Sequence, residues 1–337
     1  MKALVIAPSW IGDTVLAQPL FMRLQQAVPG LQLEALAPRW VAPVLERMPQ
    51  IARIIDNPFV HGELALRARR RLAQQLTQTA YQRAYILPNS LKAALIPFFA
   101  GITQRIGFVG EKRYGLINCR HKLDKSALPL MVERFAQLAE APGAPLPRPL
   151  PLPKLVVDNE QIASTLAALA LNVPHKLAVF CPGAEFGPAK RWPTRHFATL
   201  ADHLSASGHT VWLLGSPKDR AIGDEIVSFS PTTPPINLCG RTSLAQAIDL
   251  LALASLVVCN DSGLMHLAAA LGRPLVAVYG SSSPSFTPPL SDRAAIVSLQ
   301  LDCSPCFKRQ CPLGHLNCLN ELPPQRVLDA CQNEADA

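Results

Sequence analysis

The sequence lacks any apolar run long enough to cross a membrane. A spanning helix needs about 18 to 20 apolar residues, whereas the longest runs, residues 94–102 and 250–259, have the length of buried elements. The N-terminal segment MKALVIAPSW also lacks the longer apolar region and the small-residue cleavage site of a signal peptide. It is typical of a first β-strand, and we therefore expect a cytoplasmic protein.

Two signatures of other protein classes are missing as well. No G-x-G-x-x-G follows a predicted strand, which argues against a dinucleotide oxidoreductase. The basic segments contain no interleaved aromatic residues and match no nucleic-acid-binding motif, so no nucleic-acid partner is predicted.

Positive charge is concentrated in one half of the chain. Residues 1–150 hold 19 Lys/Arg against 9 Asp/Glu, a net charge of +10, while residues 151–337 hold 13 against 15, a net charge of −2. The excess lies mainly at residues 67–71, Lys92 and residues 105–125. Such a face suits an anionic partner, for example a phosphorylated substrate or an acidic membrane, or it is an ordinary solvated surface.

Apolar strands and amphipathic helices alternate along the chain. We predict strands at residues 2–7, 31–37, 83–87, 176–181, 209–214, 256–259 and 274–279. We predict helices at residues 14–27, 91–100, 194–207, 218–229, 244–254, 263–271 and 324–333. This alternation is typical of a parallel sheet covered by helices, which is an α/β fold.

A proline-rich segment interrupts the pattern. Residues 142–153 (PGAPLPRPLPLP) contain six prolines, and such a segment is stiff, extended and unable to form helix. We interpret it as a linker between two Rossmann-like domains, residues 1–155 and 156–337, that face a central cleft. Ligands of such sheets bind outside the carboxyl ends of the strands.

Three loops that follow predicted strands carry reactive side chains. In the first, residues 8–13, Asp13 could act as a general base beside Gly12, which allows close approach of a substrate, or it could cap the next helix. In the second, residues 181–193, Lys190 and Arg191 could hold a diphosphate and neutralise a leaving phosphate, or they could be surface cations.

The third loop, residues 260–266, joins a buried strand to a helix that begins with small polar residues. Backbone N–H groups at such a helix start can bind phosphate, which makes Asp261, Ser262 and Gly263 candidates for ligand binding. Alternatively, Asp261 and Ser262 cap the helix and His266 packs in the core.

Together these segments resemble one family. VIAPSWIGDTVLAQPL, PLMVERF, FCPGAEFGPAKRWP and CNDSGLMHLAAALGRPLVAVYGSSSP look like segments of the ADP-heptose glycosyltransferases, glycosyltransferase family 9, which have the GT-B fold. The resemblance covers about residues 1–300. The loop around Lys190 is similar to that of the members that add the second heptose rather than the first.

The resemblance implies a reaction and a set of roles. Heptose would pass from ADP-L-glycero-β-D-manno-heptose to the heptosyl-Kdo2-lipid A acceptor of the lipopolysaccharide inner core, with inversion at the anomeric carbon. By position, Asp13 matches the catalytic base and Lys190 the lysine at the donor phosphates. Asp261, Ser262 and Gly263 match the donor-binding turn, with His266 close by.

The resemblance also implies partners and cofactors. The sequence has no Asp-x-Asp motif of the kind that holds a metal in the other main glycosyltransferase fold, so we expect that catalysis requires no cofactor. The basic first half suits the carboxylates and phosphates of the acceptor. Because that acceptor is a lipid, we expect peripheral contact with the inner face of the inner membrane.

Four of the nine cysteines form the pattern C-x2-C-x4-C-x6-C outside the family core. They are Cys303, Cys306, Cys311 and Cys318. Clustered cysteines in a cytoplasmic protein are typical of a zinc or iron–sulfur site more than of disulfides. The alternative is a set of reduced thiols on a structured loop.

Three other functions compete with this interpretation. A sugar-nucleotide epimerase with the same two-domain fold would act without an acceptor. A non-enzymatic binding protein with a basic surface would not need Asp13. A different heptosyltransferase of the same family, adding the first or the third heptose, would share all of these motifs.

Overall fold

A computed structural model of the chain describes residues 1–60 and 62–336, with side chains described through residue 334. The chain divides into two compact units, Met1–Pro153 and Lys154–Ala337, here called the N-terminal unit and the C-terminal unit. Ala337, which ends the predicted second domain, lies outside the described residues.

The N-terminal unit contains one parallel sheet of six strands in the order β3-β2-β1-β4-β5-β6. Its strands are β1 (Lys2–Ile6), β2 (Gln32–Ala37), β3 (Ile51–Asp56), β4 (Arg83–Ile86), β5 (Gln104–Phe108) and β6 (Cys119–His121). Its helices are α1 (Ile11–Leu16), α2 (Gln18–Ala27), α3 (Ala42–Glu46), α4 (Leu66–Thr77), α5 (Leu91–Phe99) and α6 (Met131–Ala136).

The C-terminal unit contains a second six-stranded parallel sheet, in the order β12-β11-β10-β7-β8-β9. Its strands are β7 (Leu177–Cys181), β8 (Thr210–Leu213), β9 (Ile236–Asn237), β10 (Leu256–Asn260), β11 (Leu275–Val278) and β12 (Ala294–Val297). Its helices are α7 (Asn159–Leu169), α8 (Thr194–Ala206), α9 (Arg220–Phe229), α10 (Leu244–Ala252), α11 (Gly263–Ala270), α12 (Asn317–Asn320) and α13 (Pro324–Asp336).

Both sheets have the same winding. In each, two strands lie on one side of the first strand and three on the other, the order of a doubly wound Rossmann-like sheet. The winding therefore reverses between β1 and β4 in the N-terminal unit and between β7 and β10 in the C-terminal unit. A crevice opens outside the carboxyl ends of the strands at such a switch point. The predicted α/β fold class is confirmed.

Burial on both faces explains why these sheets are parallel. All five residues of β7 and of β10 are buried, as are four of the five in β1. Strands that helices cover on both faces read as continuous apolar runs rather than alternating ones. The C-terminal core adds two aromatic side chains next to β7, Trp192 and Phe197, whose ring centroids are 5.0 Å apart.

The single helix predicted at residues 14–27 is wrong in detail. The structure has two helices there, with the break at Ala17. Pro19 lies in the first turn of α2, where its missing N–H costs nothing, whereas inside a longer helix its ring would clash with the preceding turn. Residues 218 and 219, where the predicted helix 218–229 begins, belong instead to a 3-10 turn, Pro217–Asp219, before α9.

The predicted proline-rich linker, residues 142–153, contains neither helix nor strand. No helix within the described residues combines the length and the apolar character that a membrane crossing requires.

Candidate active site

Asp13 lies in the first turn of α1, directly after β1 and therefore at the switch point of the N-terminal sheet. The helix cap is Trp10, which has an extended backbone (φ −100°, ψ 136°) and makes no side-chain cap bond. Thr14 Oγ1 instead donates a hydrogen bond of 2.9 Å to the Trp10 carbonyl. The alternative interpretation of Asp13 as the cap residue is therefore wrong, because Asp13 is the third residue of the helix.

Two half-exposed tryptophans flank this loop, and the sequence analysis did not single them out. Trp40, which follows β2, donates from Nε1 to the Ser9 carbonyl at 2.8 Å and so fixes the loop that carries Gly12 and Asp13. Trp10 is also exposed. Large aromatic side chains left exposed directly after buried strands were the signal that could have identified them.

Lys190 and Asp261 form an ion pair at the switch point of the C-terminal sheet. Lys190 ends a 3-10 turn in the loop after β7, and Asp261 directly follows β10. Because β7 and β10 are hydrogen-bonded neighbours, the two side chains meet, with Lys190 Nζ 2.5 Å from Asp261 Oδ2. Their side chains are only 16% and 5% exposed, so the interpretation of Lys190 as a surface cation is wrong.

Asn260 fastens the Lys190 loop to β10. Its fully buried side chain accepts a hydrogen bond from the Trp192 backbone N–H at 3.0 Å and donates one to the Pro182 carbonyl at 2.7 Å. The loop is thereby held at both ends. Arg191 lies between these anchors and donates a long hydrogen bond of 3.4 Å to the Ala184 carbonyl.

A second support comes from Arg309, which the sequence analysis did not predict. The Ala189 N–H donates to the Arg309 carbonyl at 3.1 Å. A side chain at Gly187 would place its Cβ only 2.4 Å from that carbonyl oxygen, so the close approach requires glycine. The Arg309 guanidinium and the Lys190 ammonium also lie over the same ring, that of Phe186, at 5.4 and 5.0 Å from its centroid.

Buried polar atoms without partners lie at the same sheet edge as the ion pair. Within residues 1–60 and 62–336, the side-chain atoms Ser262 Oγ, His266 Nδ1, Ser281 Oγ and Ser282 Oγ have no hydrogen-bond partner. Ser262 is the N-cap residue of α11 but makes no side-chain cap bond, and the other two serines follow β11. Buried polar groups are normally paired. Their presence at one sheet edge therefore favours a polar ligand there.

His266 is buried beside the pair. Burial lowers the pKa of His266 to about 4, with Asp261 acting in the opposite direction and Lys190 in the same one. The imidazole is therefore neutral at physiological pH. The burial of His266 agrees with its interpretation as a packed residue. Because Lys190 and Asp261 both act on the pKa of His266, the imidazole also lies close to that ion pair.

Comparison with known proteins identifies the family. Residues 69–317 match the family model for glycosyltransferase family 9 (heptosyltransferase). The chain belongs to glycosyltransferase family 9. This membership confirms the predicted glycosyltransferase class. The alternative interpretations of the chain as an epimerase and as a non-enzymatic binding protein are therefore wrong.

Individual members of family 9 are similar over nearly the whole chain. Lipopolysaccharide heptosyltransferase 2 of Escherichia coli K12 is 47% identical, with 98% of this chain and 97% of the relative covered. Lipooligosaccharide heptosyltransferase 2 of Haemophilus influenzae is 45% identical, with 89% of each covered. The solved structure of the E. coli ADP-heptose lps heptosyltransferase II superposes with a TM-score of 0.90 at 44% identity, over 99% of this chain and 98% of that one. The predicted GT-B type of fold is confirmed by this match.

The four clustered cysteines of this family 9 chain do not form the predicted zinc or iron–sulfur site. Cys303, Cys306, Cys311 and Cys318 line one cavity of about 170 Å³. However, no set of three or more His, Cys, Asp or Glu side chains in the described part of the chain could hold a metal ion. The thiols range from exposed at Cys303 to buried at Cys318, and all are free. The alternative, reduced thiols on a structured loop, is what the structure has.

The predicted basic face also needs correction, because three of its arginines serve the fold. Arg69 and Arg113 are buried, at 4% and 1% exposure. Arg105 donates to the carbonyls of Leu116 and Ile102, both at 2.6 Å. The remaining cations of the two clusters are exposed or half-buried. They are Arg67, Arg70, Arg71, Lys92, Lys112, Arg120, Lys122 and Lys125.

Proposed function

We propose that this chain transfers L-glycero-D-manno-heptose from ADP-heptose to heptosyl-Kdo2-lipid A in lipopolysaccharide inner-core synthesis, with inversion at the anomeric carbon. The observation that carries the proposal is the Lys190–Asp261 pair at the switch point of the C-terminal sheet, with unpartnered buried polar atoms around it.

The C-terminal unit binds the donor. An ammonium group has three N–H donors, and Asp261 occupies one on Lys190, which leaves two for the oxygens of a diphosphate. The N-terminus of α11, at Ser262 and Gly263, adds backbone N–H groups that favour anions. The hydroxyl groups of Ser281 and Ser282 can bind ribose, sugar or phosphate oxygens, and Arg191 supplies a second cation.

The N-terminal unit binds the acceptor. The Asp13 carboxylate accepts the proton of the acceptor hydroxyl as that oxygen attacks the anomeric carbon of the heptose. The bond between the anomeric carbon and the diphosphate oxygen breaks in the same step, and ADP leaves with both bonding electrons. Lys190 stabilises the negative charge that develops on the diphosphate. Gly12 leaves room for the acceptor beside the carboxylate.

A single displacement, with attack on the face of the anomeric carbon opposite the leaving diphosphate, accounts for inversion. A carboxylate that acts as a base removes a proton without forming a covalent intermediate, so the β-linked heptose of the donor becomes α-linked in the product. The step uses the carboxylate, the lysine and the backbone of the chain, and no cofactor. Because the acceptor is lipid-anchored, the proposal includes peripheral contact with the membrane that holds it.

An acceptor panel tests the proposal. Purified protein is incubated with ADP-heptose alone and with Kdo2-lipid A, heptosyl-Kdo2-lipid A or the diheptosylated product, and each mixture is analysed by mass spectrometry. We expect one heptose to be added to heptosyl-Kdo2-lipid A only. Addition to Kdo2-lipid A would instead indicate a first-heptose transferase, and addition to the diheptosylated product a third-heptose transferase. The names of the two relatives, both heptosyltransferase 2, support the second-heptose activity.

A further inference from the structure

Two loops at the carboxyl edge of the N-terminal sheet expose large apolar side chains. The β3 loop, defined here as residues 57–60 and 62–65, follows β3 and leads into α4, and the β5 loop, residues 109–118, follows β5. Their exposed apolar residues, including the first residue of α4, are Val60 (61%), Leu64 (52%), Leu66 (49%), Val109 (37%) and Tyr114 (64%). Single exposed apolar residues are normal on a protein surface, whereas five on two loops at one edge of a sheet are typical of a binding surface.

A buried arginine fixes the β3 loop. Arg69 donates from Nε to the Leu64 carbonyl at 2.7 Å and from a terminal nitrogen to the Glu63 carbonyl at 3.2 Å. Its guanidinium stacks over the ring of Phe59, 4.0 Å from the centroid. Its other terminal nitrogen reaches the Lys92 carbonyl at the start of α5, at 3.4 Å. The loop is therefore held with its apolar side chains outward.

A second buried arginine fixes the β5 loop at the same place. Arg113 donates to the Phe108 carbonyl at 2.7 Å, to the Pro88 carbonyl at 2.7 Å and to the Ser90 carbonyl at 3.4 Å. Ser90 is the N-cap residue of α5. Both loops are thus fastened to the turn that begins α5, and they present their apolar residues at one edge of the unit.

Cations accompany the apolar side chains. In α4 the buried positions are Arg69, Ala73 and Leu76. Of the exposed arginines, Arg67 and Arg71 lie on the opposite face of the helix and Arg70 lies at its side. Lys92 at the start of α5 and Lys112 in the β5 loop add two more cations. The two loops contain two acidic residues, Glu63 and Glu111, and Glu111 already accepts a hydrogen bond from the Leu91 backbone N–H at 2.8 Å.

We propose that the β3 and β5 loops dock the enzyme on an anionic lipid bilayer, with the apolar side chains in the interface and the cations on the headgroup phosphates. Apolar side chains next to several Lys or Arg are the combination that binds a protein to an anionic leaflet. The inference rests on the proposed function, whose acceptor lies in a membrane, and it assigns the surface that makes the contact. The loops lie at the same edge of the sheet as Asp13, so a docked enzyme would have its base near the lipid-anchored acceptor.

Vesicle flotation without any acceptor tests the inference. Full-length protein is mixed with vesicles of phosphatidylethanolamine and phosphatidylglycerol, or of phosphatidylcholine alone, and floated through a gradient. We expect binding to the anionic vesicles, with a partition coefficient about tenfold lower for Val60→Ser/Leu64→Ser/Leu66→Ser. Arg67→Gln, Arg70→Gln and Arg71→Gln should each lower it by up to about fivefold at low salt, and by less at high salt.

A matched variant elsewhere on the chain provides the control. Leu152, Val156 and Val173 are 45%, 51% and 51% exposed, so Leu152→Ser/Val156→Ser/Val173→Ser removes a comparable apolar area. We expect it to float like wild type. Equal losses in both triple variants, or wild-type protein that stays out of the anionic vesicles, would overturn the inference.

Activity on two acceptors separates this inference from the proposed function. The Val60, Leu64, Leu66 triple variant should transfer heptose normally to a deacylated, water-soluble acceptor and slowly to the same acceptor embedded in anionic vesicles. An equal loss of activity on both acceptors would place these residues in the active site and overturn the docking role. Wild-type protein that floats but transfers no heptose would contradict the proposed function alone.

Discussion

Lys190 Nζ lies 2.5 Å from Asp261 Oδ2, across the switch point of the C-terminal sheet. The two residues are 71 positions apart in the chain and meet because β7 and β10 are neighbours in the sheet. The pair is largely shielded from water. Breaking a buried ion pair by removing one partner typically costs about 3–5 kcal/mol. Asp261 therefore holds the ammonium group of Lys190 in one place.

Replacement of Lys190 by alanine should weaken ADP binding and slow turnover together. In the proposed function the lysine contacts the diphosphate of the donor and neutralises it as it leaves, so we expect a loss of about tenfold or more in ADP affinity and about 10²-fold in kcat. Isothermal titration with ADP and steady-state kinetics measure both. Lys218→Ala is the control, because Lys218 forms an equally short pair with Glu185 that is exposed to solvent. Unchanged ADP affinity and rate in Lys190→Ala would leave the lysine with a structural role only.

Replacement of Asp13 by asparagine should abolish turnover and spare donor binding. Asparagine keeps the shape of the side chain but cannot accept a proton, and a positioned base contributes about 10²–10⁴-fold to the rate. ADP affinity should stay at the wild-type value because the residues proposed to bind the donor lie in the C-terminal unit. Glu46→Gln, which neutralises an exposed carboxylate of the same unit, should change neither quantity. Near-normal turnover in Asp13→Asn would show that another group acts as the base.

The buried strands were the most predictable part of the fold. Segments such as LAVFC in β7 and LVVCN in β10 are apolar throughout because helices cover both faces of the sheet. The sequence analysis did not predict β3, β5, β6, β9 and β12. These strands lie toward the sheet edges, are short or partly exposed, and so lack a continuous apolar run.

The candidate site was predictable where its residues are local to one loop. Asp13, Lys190 and Asp261 each follow a strand, and the rule that ligands bind at carboxyl ends selects them. The support from Arg309 was not predictable, because it depends on contact between two loops more than 100 residues apart in the sequence. The spacing of the four cysteines predicted a metal site, whereas among the described residues no set of three or more His, Cys, Asp or Glu side chains could hold a metal ion, because spacing in the sequence does not determine the distances between the thiols.

Gly187→Ala should disturb the Lys190 loop. The added Cβ would lie 2.4 Å from the Arg309 carbonyl oxygen, so one of the two loops must move, and a displacement of about 1 Å can cost about 10²-fold in rate. We expect lower kcat and weaker ADP binding. Gly110→Ala is the control, since its Cβ would find its nearest neighbour at 3.5 Å. Wild-type kinetics for Gly187→Ala would mean that the contact with Arg309 does not position Lys190.

His266 should make the folded state sensitive to acid. The pKa of His266 is about 4 in the folded chain and about 6.5 in the unfolded chain, so its contribution to stability is complete above pH 6.5 and is lost as the pH falls toward 4. The loss at pH 5 is about 2 kcal/mol. Urea unfolding at pH 7 and pH 5 should therefore show a larger loss for wild type than for His266→Gln. The exposed His175 provides the control variant, His175→Gln, which should lose as much stability between pH 7 and pH 5 as wild type does. Equal losses of stability in wild type and His266→Gln would contradict the lowered pKa of His266.

Arg113→Met should destabilise the N-terminal unit. Burial lowers the pKa of Arg113 to about 10, so the guanidinium stays charged at neutral pH and donates to several backbone carbonyls. Its removal leaves these acceptors unpaired, at a cost of about 3 kcal/mol. The neighbouring exposed Lys112 gives a matched variant, Lys112→Met, for which we expect a change below about 0.5 kcal/mol. Urea denaturation measures the free energy of unfolding of both variants. Equal stabilities of Arg113→Met and Lys112→Met would contradict the anchoring role of Arg113.

The anomeric configuration of the transferred heptose tests the central claim most directly. Wild-type protein is supplied with the β-configured ADP-heptose and heptosyl-Kdo2-lipid A, and the anomeric centre of the new linkage is determined by NMR. Asp13 acting as a base, with Lys190 at the leaving diphosphate, predicts a single displacement and therefore an α-linked product. A β-linked product, which retains the configuration of the donor, would require a covalent or otherwise two-step mechanism and would contradict the account.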